Sequence, residues 1–260
     1  MTKTILITGA TDGLGRATAF ALASQGHTII AHGRNEQKLN ELKAEIGADV
    51  STVQADMSDL PDVVLMGRHL MEAHDQIDLV INNAGVFKTS QPRTDDGMDV
   101  RFVVNTFAPA LLSNLLLPIV PNEGRLVHLS STAQAPVDVE AMTGQRQLQD
   151  MEAYAQSKLA LTMWSQDFAE KHPNGPVSVA VNPGSLLATK MVREGFGTSG
   201  NDLNVGVDIL ARAALSDEFA TASGQYFDND SGQFAPPHSD AANPVKVADV
   251  VAIITAQITQ

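Results

Sequence analysis

Cysteine is absent from this chain of 260 residues, and with it disulfides, thiolate nucleophiles and thiolate metal sites. Basic residues are scarce: 17 Lys and Arg stand against 30 Asp and Glu, a formal charge of −13. Such a surface repels phosphate, which disfavours nucleic acid or an anionic membrane as partner and leaves small molecules open. Long apolar runs are missing too. The longest, Phe107 to Val120, is broken by Ser113 and Asn114 and reads as too short to cross a bilayer. Met1 leads directly into an apolar strand over Thr4 to Thr8, without the basic start, apolar stretch and small-residue cleavage site of a signal peptide. A soluble, cytoplasmic protein without an anchor is expected. The seven histidines, at positions 27, 32, 69, 74, 128, 172 and 238, have no metal-ligand spacing, and Asp95, Asp96 and Asp99 read as a solvated helix start, so no metal is expected. No linker rich in Pro, Gly or Ser and no repeat divides the chain, which reads as one domain over 1–260.

What is present is a regular alternation. Short β-branched runs at Thr4 to Thr8, Thr28 to Ala31, Val50 to Gln54, Leu79 to Asn82, Arg125 to Leu129 and Val177 to Val181 read as buried strands. Helical patterns lie between them: Leu14 to Ser24, Asn35 to Ile46, Leu60 to Ala73, Met98 to Leu117 and Met151 to Lys171. Alternation of this kind implies right-handed crossovers and a doubly wound α/β fold, Rossmann-like, whose parallel sheet carries helices on both faces and binds ligands at the carboxyl ends of its strands. Gln134 to Asp150 is polar and irregular and reads as an inserted surface segment (134–150).

The first strand ends in Thr8-Gly9-Ala10-Thr11-Asp12-Gly13-Leu14-Gly15 and runs directly into a helix. Glycines there let backbone approach a pyrophosphate, whose charge the first-turn amides stabilise, although any tight strand-to-helix turn also favours glycine. The spacing differs from G-x-G-x-x-G. At the end of the second strand, where a carboxylate would select NAD, the chain reads Ala31-His32-Gly33-Arg34. An adjacent guanidinium with no acid beside it suits a 2′-phosphate, so NADP(H) is favoured over NAD(H); Arg34 as a solvated helix start is the alternative, and Asp12 is an unfavourable charge near that phosphate. Asp56, just past the third strand, is placed either to meet the adenine amino group or to cap the next helix, and Met57 follows it.

Tyr154 and Lys158 lie one helical turn apart and share a face. A free tyrosine titrates near pH 10, so only about one in a thousand is phenolate at neutral pH. An ammonium about 4 Å away interacts by roughly 4 kcal/mol at an effective dielectric near 20, enough to lower the phenol by up to about three pH units. The spacing is common in ordinary helices, so its weight depends on its company. That company is Asn82-Asn83-Ala84-Gly85 after the fourth strand, Asn105 in the next helix, Ser130-Ser131 ending the fifth strand and Asn182-Pro183-Gly184 ending the sixth.

Taken in this order, TGATDGLG, NNAG, Ser131, YAQSK and NPG resemble the short-chain dehydrogenase/reductase family over nearly the whole chain. The resemblance implies an enzyme that transfers hydride between NADP(H) and a carbonyl or alcohol. Within the family, the text around YAQSK and the long stretch from Ser131 to Tyr154 resemble the retinol dehydrogenase and carbonyl reductase branch. It implies Tyr154 as general acid or base, Lys158 lowering its pKa and holding the nicotinamide ribose, Ser131 on the substrate oxygen, and Asn105 holding a water that links Lys158 to solvent. Strand alternation agrees that only one of Ser130 and Ser131 points into the site; without the other motifs, Asn105 reads equally well as a satisfied buried amide. The cofactor residues so implied are Gly9, Thr11, Asp12, Gly13, Leu14, Gly15, Arg34, Asp56, Met57, Asn83, Ala84, Gly85, Pro183 and Gly184, together with Tyr154 and Lys158. The chain departs from the family where a Thr is usual four residues after Gly184: position 188 is Ala, and Thr189 follows.

The substrate is expected between the 134–150 segment and a lid over 185–200 containing Met191 and Phe196, whose apolar residues suit a hydrophobic aldehyde or ketone. A homodimer or homotetramer is implied by the resemblance, with Leu159, Leu161, Met163 and Trp164 either at its interface or in the core. A non-catalytic NADP(H)-binding sensor and a lyase or epimerase on the same scaffold are the alternative functions.

Overall fold

In the computed structural model, residues 1–48 and 50–259 are described, Phe196 by its backbone only. Chain order is β1 (Thr4–Ile7), α1 (Gly13–Ser24), β2 (Thr28–Gly33), α2 (Glu36–Ile46), β3 (Val50–Gln54), α3 (Leu60–Ala73), β4 (Leu79–Asn82), α4 (Val100–Phe102), a π-turn (Val103–Phe107), α5 (Ala108–Leu116), β5 (Arg125–Leu129), α6 (Val139–Met142), α7 (Asp150–Lys171), β6 (Val177–Asn182), α8 (Lys190–Phe196), α9 (Leu203–Leu215), β7 (Tyr226–Asp228), β8 (Gln233–Phe234) and α10 (Pro244–Ile258). The strands form one sheet in the order β3-β2-β1-β4-β5-β6-β7-β8. All pairings are parallel except β7 with β8. This is the doubly wound α/β fold in a single domain, with the reversal of strand order between β1 and β4.

Strands buried on both faces explain the near-continuous apolar runs. Leu6, Ile30, Val80 and Leu126 pack toward α3, α5, α7 and α10. Their neighbours Ile5, Ile29, Ile81 and Val127 pack toward α1, α2 and α9. Caps set the helix starts: Asp12 accepts from Gly13 N, Asn35 from Lys38 N and Asp59 from Asp62 N.

Three elements differ from expectation. The helical stretch Val100–Ile119 is long and apolar enough to cross a membrane, with mean hydropathy 1.6, because the helix starts before Phe107; 72% of it is buried inside the fold, where it serves as a core helix. The 134–150 segment is not wholly superficial, since Ala141, Met142 and Leu148 enter the core. Leu159, Leu161, Met163 and Trp164 are buried within the single chain, on a helix that packs against α10, and are core residues.

Candidate active site

The glycine turn is braced from three directions. The Asn83 side chain donates to Thr8 O (2.8 Å) and Gly9 O (3.2 Å), and Ala84 N donates to the Thr8 hydroxyl (3.0 Å). Gly9 N donates to Nδ1 of His32 (3.2 Å), so Nε2 carries the proton donated to Ala55 O (3.0 Å). A Cβ on Gly15 would sit 2.3 Å from Gly9 O and 2.4 Å from Asn83 Nδ2, so no other residue fits. Gly33 similarly makes room for Thr11, whose Cγ2 lies 2.5 Å from the place of a Cβ. With Gly13 N held by Asp12 and Arg16 N by Asp12 O, Leu14 and Gly15 supply the first-turn amides that a helix cannot satisfy itself. That donor set fits a pyrophosphate.

Beside this turn lie two exposed ion pairs, Arg34 with Asp56 (3.8 Å) and Lys38 with Asp12 (3.4 Å). Lys38 thus faces the acid that stood as an unfavourable charge. Asp56 accepts from Ser58 N and Oγ, while Asp59 caps α3, so capping is not the task of Asp56. Met57 has its side chain in the core and offers only backbone to a ligand.

At the carboxyl ends of β4 and β5 the expected catalytic residues converge. Asn105 sits in the π-turn, an irregularity frequent at functional sites. Its amide donates to Val86 O and Ser157 Oγ (3.0 Å each) and its Oδ1 accepts from Val86 N (2.8 Å). A Cβ on Gly85 would lie 3.3 Å from that Oδ1 and 3.6 Å from Lys158 Nζ. Lys158 is buried, and Nζ donates to Leu129 O (2.7 Å) and lies 5.6 Å from the centre of the Tyr154 ring.

The two serines diverge as strand alternation requires. Ser130 is buried against Thr162 (2.7 Å), whereas the Ser131 hydroxyl faces the Tyr154 phenol. Burial lowers Lys158 to about 8. Burial raises the Tyr154 phenol, a shift that the neighbouring Ser131 side chain only partly opposes. The shift runs opposite to the lowering expected from Lys158: burial is its largest cause, and the same burial weakens the Lys158 ammonium.

The wall beside Tyr154 escaped the sequence reading. Phe87 packs edge-on against the Tyr154 ring, centroids 5.3 Å apart. Phe87 also meets α8 of the 185–200 segment: a Cβ on Gly195 would sit 2.6 Å from its ring, and Lys88 Nζ donates to Gly195 O (3.2 Å). Gly195→Ala is therefore expected to push this segment outward and raise the KM for a carbonyl substrate several-fold, with a smaller effect on affinity for the nicotinamide cofactor, as steady-state kinetics and cofactor titration would show. Thr189 caps α8 and lies 3.6 Å from the place of a Gly13 Cβ, so it faces the glycine turn despite its displaced position. Gly184, at φ +121°, and Pro183 are held by Asn182 and Asn229. The Phe196 side chain lies outside the described residues.

A doubly wound sheet with a glycine turn at β1, and Tyr, Lys, Ser and Asn gathered at the ends of β4 and β5, defines the class of nicotinamide-dependent oxidoreductases. The family model of short chain dehydrogenases matches residues 3–198, and the chain belongs to that family of enzymes. It is 31% identical over 261 residues to a protein described as a candidate daunorubicin C-13 ketoreductase of Streptomyces sp. (strain C5), covering 94% of this chain and 90% of that one. It is 29% identical over 252 residues to retinol dehydrogenase 13 of Homo sapiens, covering 87% of this chain and 76% of the relative. Among solved structures, a landomycin C-6 ketoreductase with bound NADP and rabelomycin superposes with a TM-score of 0.68 at 26% identity, covering 87% of this chain and 94% of that one.

Proposed function

We propose that this chain reduces a hydrophobic ketone or aldehyde with NADPH, Tyr154 acting as general acid. The observation that carries the reading is the convergence of Tyr154, Ser131 and Asn105 around a buried Lys158, whose Nζ lies 5.6 Å from the centre of the Tyr154 ring. NADPH would lie along Gly9 to Gly15, Asn83 to Gly85 and Pro183–Gly184, and supplies the hydride. Ser131 and Tyr154 donate to the carbonyl oxygen, stabilising the charge that develops there, and the Tyr154 proton passes to it. A phenol kept protonated by burial is suited to this direction. Lys158 holds the ribose hydroxyls and replenishes the proton. Asn105 has both amide protons engaged, so a relay water would use the remaining lone pair of Oδ1.

The relatives named for daunorubicin and landomycin ketoreduction, the latter with rabelomycin bound, support a bulky apolar acceptor, and Phe87 offers an aromatic wall for it. The same proposal has the protein working in the cytoplasm, in keeping with its cysteine-free composition. A homodimer or homotetramer would need a face other than the four buried apolar side chains of α7. NADPH oxidation against aldehydes, polycyclic aromatic ketones and quinones tests the reading: turnover of none of them would leave a cofactor-binding sensor. For the cofactor, Arg34 and Lys38 favour a 2′-phosphate, although the expectation of a guanidinium with no acid beside it is corrected by Asp56, 3.8 Å from Arg34, and Lys38 is paired with Asp12. Arg34→Asp is expected to weaken NADPH binding by about tenfold or more and NADH binding little, because a charge-assisted contact becomes a repulsion. Fluorescence titration with both cofactors reads the ratio, and an unchanged ratio would refute the assignment.

A further inference from the structure

The chain has two tyrosines, and the second reaches the serine that faces the first. Tyr226 lies on β7, paired in register with Ala180 of β6. It is 5% exposed, and its hydroxyl donates to the backbone carbonyl of Ser131 (3.1 Å). The same carbonyl accepts a second hydrogen bond from Gln134 Nε2 (2.9 Å). Gln134 is itself fixed, since its Oε1 accepts from His238 N (2.8 Å), which belongs to the segment following β8. Ser131 has already left the strand ladder, whose last backbone bond on this side is Ser130 N to Val181 O (2.8 Å). Beyond the ladder, the Ala133 N bond to Ser131 Oγ (3.0 Å) and these two side-chain donors hold the peptide that carries the hydroxyl.

A serine hydroxyl aimed at a reacting oxygen works only within a few tenths of an ångström, and its aim depends on the peptide plane behind it. We infer that Tyr226 is a positioning residue for Ser131: with Gln134 it clamps the Ser131 carbonyl and so directs the Ser131 hydroxyl at Tyr154 and the substrate oxygen. The inference rests on the carbonyl reductase reading above. Burial, with Asp228 and Asp230 nearby, pushes the Tyr226 phenol far up, so it remains a donor throughout the working pH range. The clamp also couples the active site to the part of the chain beyond the first six strands.

Tyr226→Phe keeps the ring and removes only the donor. The expected result is about a tenfold fall in kcat, with KM for the carbonyl compound, NADPH affinity and melting temperature close to wild type. In a Ser131→Ala background the further substitution should cost nothing, because there is no hydroxyl left to aim. The same fold-loss in both backgrounds, or no loss in the first, would overturn the inference. Gln134→Ala, tested in the same two backgrounds, supplies the result if Tyr226→Phe fails to fold. Full activity in Ser131→Ala and Tyr154→Phe themselves would instead bring down the functional reading.

Discussion

Replacing Tyr154 by Phe is expected to lower NADPH-dependent carbonyl reduction by about 10²–10⁴-fold while NADPH still binds. The substitution removes one oxygen and leaves the ring in its contact with Phe87, so the loss belongs to proton transfer rather than to packing. Single-turnover rates with a responsive ketone, beside a cofactor titration, separate the two. Retained turnover would make another group the acid. The pH profile carries a second signature. The proposed mechanism uses Lys158 as an ammonium, whose pKa burial lowers to about 8. The rate of reduction should hold below that value and decline as pH rises through it. A profile flat through pH 9 would remove Lys158 from the proton path.

Legibility in the sequence followed the range of the interaction that forms each feature. Strands β1 to β6 and helices α1 to α3 and α7 are set by local pattern: β-branched runs, caps and 3.6-residue periodicity. The candidate site could be read because the glycine turn, Asn83 to Gly85 and Ser131 follow strand ends, where the alternation places them, and Tyr154 and Lys158 share one helix face a turn apart. Strands β7 and β8 have three and two residues, too few to show a period, and their pairing is decided by neighbours far along the chain. The bracing partners share that reason. His32 and Thr8 support the glycine turn through hydrogen bonds across 23 and 76 positions, and Tyr226 meets Ser131 across 95. The raised pKa of Tyr154 was hidden for a different cause. Sequence spacing shows the nearby charge of Lys158 but not the loss of water, and the loss of water dominates.

The largest effect on stability is expected from acid, through a histidine with no part in catalysis. His128 is completely buried in β5. Asn82 Nδ2 donates to its Nδ1 (3.1 Å), so Nε2 carries the proton directed at Ser178 Oγ (3.2 Å). Trp164 stands edge-on to its ring at 5.3 Å. Protonating Nδ1 would turn an acceptor into a donor facing an amide donor, with no carboxylate bonded to the ring. Burial accordingly lowers its pKa from 6.5 to about 3. Between these two values the unfolded chain binds a proton that the folded chain refuses. The contribution is therefore fully present above pH 6.5 and is lost progressively as pH falls toward 3, by about 5 kcal/mol as an order of magnitude. His32, also buried and also lowered by desolvation, acts with the same sign at the glycine turn. Urea unfolding at pH 7.5 and 4.5 measures the loss. A His128→Gln variant, though less stable at neutral pH for its poorer fit, should lose clearly less on acidification than wild type. An equal acid loss in both proteins would mean that other groups govern the transition.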